Sequence, residues 1–378
     1  MGKPTPRIEI RVERIVDNAA ALLSLCMSRG VELTAVTKAV CGSPRIAAAL
    51  HACGVRSLGD SRIANLRRMR ESGVKAQYVL IRSPAPSETA EAVHWADVSL
   101  NTEIGVVRLL ARAARERGRI HGVILMVGLG DLREGILPAD LDEAVSETLR
   151  LEGIHLEGIG TNLACFSGVA PSPQKMQELS SLAARIEGRH GVKLPCVSGG
   201  NSANYGWLVP TRDTGRVNHL RMGESLFLGC DALTREPIPG MHTDAFTVVA
   251  EVLEIKMKPS LPCGDIVQDA FGHRPQFRDR GPRRRALLSI GRQDIEPATL
   301  RPRIAAEIIG ATSDHLVLDA TETDLEVGDE VAFDVGYSSL LRALASRDVA
   351  AVFTSDAALD RHGEVQAPDR SFRAGGTG

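Results

Sequence analysis

The 378-residue chain carries little aromatic surface: two tryptophans, three tyrosines and eight phenylalanines, 3% of the total. Stacking platforms for single-stranded nucleic acid are built from aromatic faces, so the composition argues against that class of function. Charge of either sign is not in excess, with 45 lysines and arginines against 47 aspartates and glutamates and a formal net charge of −2. Neither nucleic acid nor an anionic membrane is favoured as a partner, and no apolar run approaches the length of a membrane span. The seven cysteines (Cys26, Cys41, Cys53, Cys165, Cys196, Cys230, Cys263) are odd in number and contain no C-x-x-C pair. That argues against a disulfide framework or zinc ribbon and for a reducing compartment. The opening "MGKPTPRIEIRV" is polar and lacks the apolar segment of a signal peptide, and Pro6 stands where a myristoylation signal needs Ser or Thr. The expectation is a cytoplasmic protein.

What is present is an alternation. From residue 14 to about residue 230, helical patterns are followed by short apolar strands that end in polar or glycine-rich residues. The strand segments are "VELTAVTKAV", "RSLGDS", "QYVLIRS", "DVSLN", "HGVILMVGLGDLREG", "LEGIGTN", "CVSGGNS" and "VNHLRMGESLFLG". Strands alternating with helices imply a parallel sheet, and eight such units suggest closure into a (β/α)8 TIM barrel. After residue 233 the texture becomes short and β-rich, with no helix of length, from "FTVVAEVLEIKMK" to "AAVFTSD". The α/β barrel is therefore assigned to residues 1–233, a mostly β C-terminal domain to 234–356, and a disordered tail to 357–378. The basic run "RDRGPRRR" (Arg278 to Arg285) reads as a solvated loop.

Lysine is strongly hydrated and costly to bury, so a strand aimed at a core should not finish on Lys38. In a barrel the site lies at the carboxyl ends of the strands, and phosphate is held by the loops after strands seven and eight. The other ends are equally well furnished. Strand two brings Asp60, strand four Asn101 and Glu103, strand five Asp131, Arg133 and Glu134, and strand six Thr161 and Asn162. Strand seven ends "SGGNS", where Gly199 and Gly200 let backbone amides approach a ligand and Ser202 offers a hydroxyl. Strand eight brings Arg221, then Gly223 and Glu224, whose amides extend an anion nest. A phosphate on one side of the rim and a lysine opposite match the needs of pyridoxal 5′-phosphate.

Taken together, "VTKAV", "LGDSRIANL", "ILMVGLGDLREG", "GIGTNLACFSG", "SGGNSAN" and "HLRMGESLFLG" resemble the ornithine racemase branch of the alanine racemase family. The likeness continues through "SIGRQDI", "GATSDHLVLD" and "DVGYSSLLRALAS". It implies a pyridoxal-phosphate-dependent amino-acid racemase acting as a homodimer on ornithine, a related basic amino acid or alanine. By matching position, Lys38 holds the cofactor and shuttles the α-proton on one face, and Arg221 faces the pyridine nitrogen. Ser202, Gly200, Gly223 and Glu224 bind phosphate, and Tyr337 and Asn162 lie on the cofactor side. Arg133 lies near the cofactor's phenolic oxygen or the substrate carboxylate. From charge alone, a guanidinium beside the pyridine nitrogen disfavours its protonation, which weakens the ring as an electron sink and suits racemisation.

The chain departs from alanine racemase at the second proton donor, which racemisation by two bases requires on the opposite face. Arg292 takes the place of the tyrosine that alanine racemase receives from its partner subunit. The candidates here are His315 and Asp314 in "TSDH", Asp294, and Cys263, with His315 ranked first because histidine titrates in the right range. Cys41 stands where alanine racemase carries a phosphate-binding tyrosine. A distal substrate ammonium wants a carboxylate, for which Asp60, Glu103 and Asp131 are the candidates, with Arg292 also near the substrate. No metal is expected for racemisation. Two other readings share the fold: a metal- and pyridoxal-phosphate-dependent aldolase or lyase on β-hydroxy D-amino acids, and a non-catalytic pyridoxal-phosphate carrier, which would lack the β domain.

Overall fold

Short runs of β-branched and apolar residues make sixteen strands in the computed structural model, which describes residues 4–355. Contacts divide the chain into two units, Arg14–Thr243 on the one hand and residues up to Glu13 with those from Asp244 onward on the other. Strand β1 (Arg7–Arg11) belongs to the second unit. The first unit holds β2 (Glu32–Val36), β3 (Ser57–Asp60), β4 (Gln77–Leu80), β5 (Val98–Asn101), β6 (His121–Met126), β7 (Ile154–Gly160), β8 (Cys196–Ser198) and β9 (His219–Met222). Each pairs in parallel with the next, and β9 closes on β2 with Arg221 opposite Thr34. This is the closed eight-stranded barrel expected from the alternation.

The helices between the strands are amphipathic. In Val12–Ser28 the buried Ile15, Ala19, Leu22 and Cys26 recur at helical spacing, and in Ile104–Glu116 the buried Val107, Leu110, Ala111 and Ala114 do the same. One stripe of each helix is thereby covered while arginines and glutamates keep the other wet. Along each strand, side chains alternate between the helix layer and the barrel lumen. Val79, Val98, Leu100, Ile124 and Met126 form one buried cluster, against which Cys196 of β8 packs. Contact across strands that are not neighbours places this set in the lumen. By the same parity Ser198, His219, Arg221, Thr34 and Ser57 fill the other side of the lumen, which is polar.

The second unit is a mostly β domain of β1 with β10 (Phe246–Lys258), β11 (Arg283–Leu288), β12 (Leu300–Pro302), β13 (Glu307–Ala311), β14 (Leu316–Asp319), β15 (Glu330–Val335) and β16 (Ala350–Thr354). Its sheet runs β12-β15-β10-β11-β14-β13, with β1 antiparallel to β10 and parallel to β16. β10 serves two neighbourhoods because its register shifts between Val252 and Glu254. Among the described residues no helix is long and apolar enough to cross a membrane.

Four local expectations are corrected. The polar opening contains a strand, and its buried Ile8 and Ile10 join the second unit, so residues 1–233 do not make one barrel domain. Strand one is shorter than "VELTAVTKAV": it stops at Val36, and Lys38 rides on a 3₁₀ turn, Thr37–Val40. The basic run is not a solvated loop throughout, because Arg283–Arg285 open β11 and Arg283 donates to Asp319 at 2.8 Å. A helix, Tyr337–Ala345, interrupts the β domain and buries Leu340, Ala343 and Leu344. The tail assigned to 357–378 lies outside the described residues.

Candidate active site

Asp60 sets the position of Lys38. Its buried carboxylate accepts from Thr37 Oγ1 at 2.8 Å, from the Arg62 amide at 2.9 Å and from Asn65 Nδ2 at 3.0 Å. Thr37 begins the turn that carries Lys38, so three donors from two loops hold that turn on the end of β2. The chain then turns back sharply: Cys41 is left-handed at φ 51°, and Gly42 follows at φ 59° with Asn65 so close that no side chain fits. Burial, with Asp60 nearby, pushes the Cys41 thiol up to about 11, so it stays neutral. Lys38 itself is half-buried.

Arg221 lies in the polar part of the lumen. It is fully buried, donates to Ser198 Oγ, and donates to the Thr161 carbonyl at 2.7 Å. Among the described residues no carboxylate accepts from it. Burial lowers it to about 10, which leaves it a cation at neutral pH. Both acceptors are neutral, so the charge is solvated by dipoles rather than cancelled.

Between β8, β9 and the loops that follow them is a cradle of small residues. Gly200 has φ 145°, and a Cβ there would overlap Asn204 Oδ1; at Gly223 a Cβ would come within 2.8 Å of the Val36 carbonyl. Ser202 Oγ accepts from the Gly223 and Ser225 amides at 3.1 and 3.2 Å. Two N–H groups on one oxygen leave the Ser202 hydroxyl hydrogen to be offered elsewhere. Ser225 Oγ is buried without any partner, a donor that sequence reading missed because Ser225 falls inside the short helix Glu224–Leu228. The Glu224 carboxylate is paired with Arg235, so of that residue only the backbone belongs to the cradle. Nearby, Asn162 Oδ1 accepts from Asn201 Nδ2 at 2.9 Å, while Asn162 Nδ2 is a second buried donor without a partner.

The remaining rim acids differ in kind. Asp131 is buried, and its carboxylate accepts from the amides of Cys165, Phe166 and Ser167 at 2.9–3.3 Å. It ties the loop after β6 to the loop after β7. Asp60 is likewise saturated. Both are among the candidate substrate partners, and in the structure their oxygens carry internal donors from the segments they join. Glu103 is exposed at the start of the helix Ile104–Glu116 and makes no side-chain cap bond. Arg133 is exposed and paired with its neighbour Glu134.

In the second unit, Arg292 and Asp314 lie together, because the Arg292 amide donates to Thr312 O at 2.9 Å and Gln293 Nε2 to Asp314 at 3.2 Å. His315 closes that turn, half-buried, with its amide on Thr312 Oγ1 at 3.0 Å. Asp294 is buried and accepts from Ser346 at 2.6 Å. Cys263 is exposed. Tyr337 is half-buried at the first position of its helix.

The profile of the family described as "Alanine racemase, N-terminal domain" matches residues 10–231. An ornithine racemase from Acetoanaerobium sticklandii is 38% identical over 345 residues, covering 90% of this chain and 97% of that protein. A lysine racemase from Thermotoga maritima is 37% identical over 350 residues, covering 92% and 98%. Among solved structures, alanine racemase from Bartonella henselae with covalently bound pyridoxal phosphate superposes with a TM-score of 0.70 at 18% identity, covering 93% of this chain and all of that one. The family match and the two relatives put the chain among the pyridoxal-phosphate-dependent barrel enzymes. More particularly, the chain belongs to the alanine racemase family, and it is a pyridoxal-phosphate-dependent amino-acid racemase.

The residues fit that cofactor. The partnerless Ser225 hydroxyl, the spare hydrogen of Ser202 and the closeness enforced at Gly200 and Gly223 suit a phosphate. Arg221 suits a ring nitrogen that is to stay unprotonated.

Proposed function

We propose that this chain interconverts the enantiomers of ornithine or a closely related basic amino acid, as a cytoplasmic homodimer. Pyridoxal phosphate, joined covalently to Lys38, would supply a ring that withdraws electrons from the substrate's α-carbon. The observation that carries the reading is the identity of 38% and 37%, over nine-tenths of the chain, with an ornithine racemase and a lysine racemase. Lys38, held on its turn by Asp60, moves the α-proton on one face. Arg221, a cation at neutral pH, would face the ring nitrogen and disfavour its protonation. Ser202, Ser225 and the backbone of Gly200, Gly223 and Glu224 bind phosphate, with Asn162 and Tyr337 on the cofactor side. Arg133 holds the substrate carboxylate or the phenolic oxygen. Glu103, exposed and without a side-chain cap bond, receives the distal ammonium, with Arg292 near the substrate. His315, supported by Asp314, is the second proton donor.

The test is isotopic. The purified chain, incubated with single L-amino acids in deuterated water, exchanges the α-hydrogen and forms the D-enantiomer fastest with ornithine or lysine. Borohydride fixes the cofactor on Lys38, and Lys38→Ala loses both the visible absorption and the exchange. Retention of both by that variant overturns the assignment.

A further inference from the structure

The lumen contains a run of side-chain hydrogen bonds for which phosphate, substrate and proton transfer have no use. His219 is buried two residues before Arg221 on β9. Its Nδ1 meets Ser198 Oγ at 2.7 Å and its Nε2 meets Thr34 Oγ1 at 2.8 Å, and Thr34 Oγ1 lies 2.7 Å from Ser57 Oγ. Ser198 Oγ is also the acceptor for Arg221. Burial favours one direction for this run. A guanidinium has only donors, so Ser198 must accept from Arg221. Ser198 is wholly buried, and its one hydroxyl hydrogen finds an acceptor in His219 Nδ1 when that nitrogen carries no proton; were Nδ1 protonated, Ser198 would accept twice and its own hydrogen would have no acceptor among the described residues. His219 is thereby the Nε2–H tautomer, donating to Thr34, whose own hydrogen goes to Ser57. Burial and the neighbouring Arg221 both hold this imidazole neutral.

We propose that His219 is a positioning residue for Arg221, acting through Ser198. Every bond in the series points away from the guanidinium, and each donor polarises the next. With Nδ1 drawing the Ser198 hydrogen away, the serine oxygen presents a lone pair to Arg221 in one orientation. Without the imidazole that hydroxyl rotates freely, and of the two acceptors the buried cation has among the described residues, Ser198 Oγ and the Thr161 carbonyl, the first is no longer fixed. The residue that keeps the ring nitrogen unprotonated would then be held less firmly. The proposal rests on the reading of Arg221 as the partner of that nitrogen.

Three single variants, His219→Leu, His219→Gln and Ser198→Ala, and the double variant His219→Leu/Ser198→Ala test it in the full chain loaded with pyridoxal phosphate, together with nitrogen NMR of 15N-histidine-labelled wild-type protein. The expected results are a proton on Nε2 and none on Nδ1 of His219, and kcat reduced about tenfold in His219→Leu and Ser198→Ala, the scale for losing a partner that orients a functional group. KM stays within about twofold, the visible absorption of the bound cofactor shifts, and the double variant is no worse than either single one. His219→Gln recovers most of the loss, because its amide can both accept and donate. A proton on Nδ1 overturns the proposal, as does a His219→Leu or Ser198→Ala enzyme with unchanged kcat and spectrum, whatever its melting temperature. Should His219→Leu not fold, Ser198→Ala and the nitrogen spectrum decide alone. A wild-type chain that takes up no pyridoxal phosphate defeats the proposed function instead, and leaves the tautomer measurement standing.

Discussion

Three carboxylates on the rim of one barrel, chemically equivalent on paper, have different work. Asp131 spends its oxygens on three backbone amides and Asp60 on a hydroxyl, an amide and a side-chain amide, whereas Glu103 stands exposed at a helix start. A carboxylate that satisfies several buried N–H groups cannot be neutralised cheaply, because each amide left without its acceptor costs about 1–3 kcal/mol. The two kinds of acid therefore separate under mutation. Glu103→Gln is expected to raise KM for ornithine about tenfold with little change in kcat, the loss of about one charged hydrogen bond. Asp131→Asn is expected to leave the substrate's distal group bound and to lower thermal stability, with faster hydrogen exchange at the Cys165, Phe166 and Ser167 amides. If Asp131→Asn instead changed KM alone, its place as a loop anchor would be lost.

At the scale of elements, β1 is the segment whose sequence least advertises its task. Arg7–Arg11 inserts between β10 and β16, with Ile8 opposite Val248 and Ala351. Ile8 and Ile10 are fully buried. Arg7 fastens the strand from the side, donating to Glu9 at 2.9 Å and to both oxygens of Glu330 at 2.6 and 2.7 Å. Removing a buried isoleucine costs about 2–5 kcal/mol, and removing the strand also strips the hydrogen-bond partners from two others. A chain beginning at Val12 should accordingly fail in its second unit. Near-ultraviolet circular dichroism and thermal unfolding should show a melting point lower by more than about 10 °C, or insoluble protein. A truncated chain as stable as the whole would mean that β1 is an ornament of the sheet.

For the molecule as a whole, acid should act through the barrel. Burial lowers His121 to about 4 and His219 to about 3 from the ordinary 6.5. The unfolded chain takes up protons as the pH drops below 6.5, and the folded chain does not until those lower values are reached. The stability these residues contribute is thus complete above about pH 6.5 and is lost on descending toward pH 4, at about 1.4 kcal/mol per pH unit for each histidine. Asp60, raised by burial, works the opposite way at the acid end. Urea midpoints measured between pH 7.5 and 4.5 should fall, and in His219→Gln they should fall less steeply; a flat profile would show that the histidines are charged in the folded state.

The alternation of helical and strand patterns, and with it the closed barrel, was legible residue by residue, since each unit's hydrophobic period reflects only its own neighbours. The positions of Lys38, Ser202 and Arg221 at or just past the carboxyl ends of barrel strands were legible too, because the strand pattern stops beside each of them. The membership of β1, the helix at Tyr337, the saturation of Asp60 and Asp131, and the run from Arg221 to Ser57 were not. Each depends on which distant donor or strand comes within about 3 Å, and a linear order of residues does not contain that distance until the chain has closed upon itself.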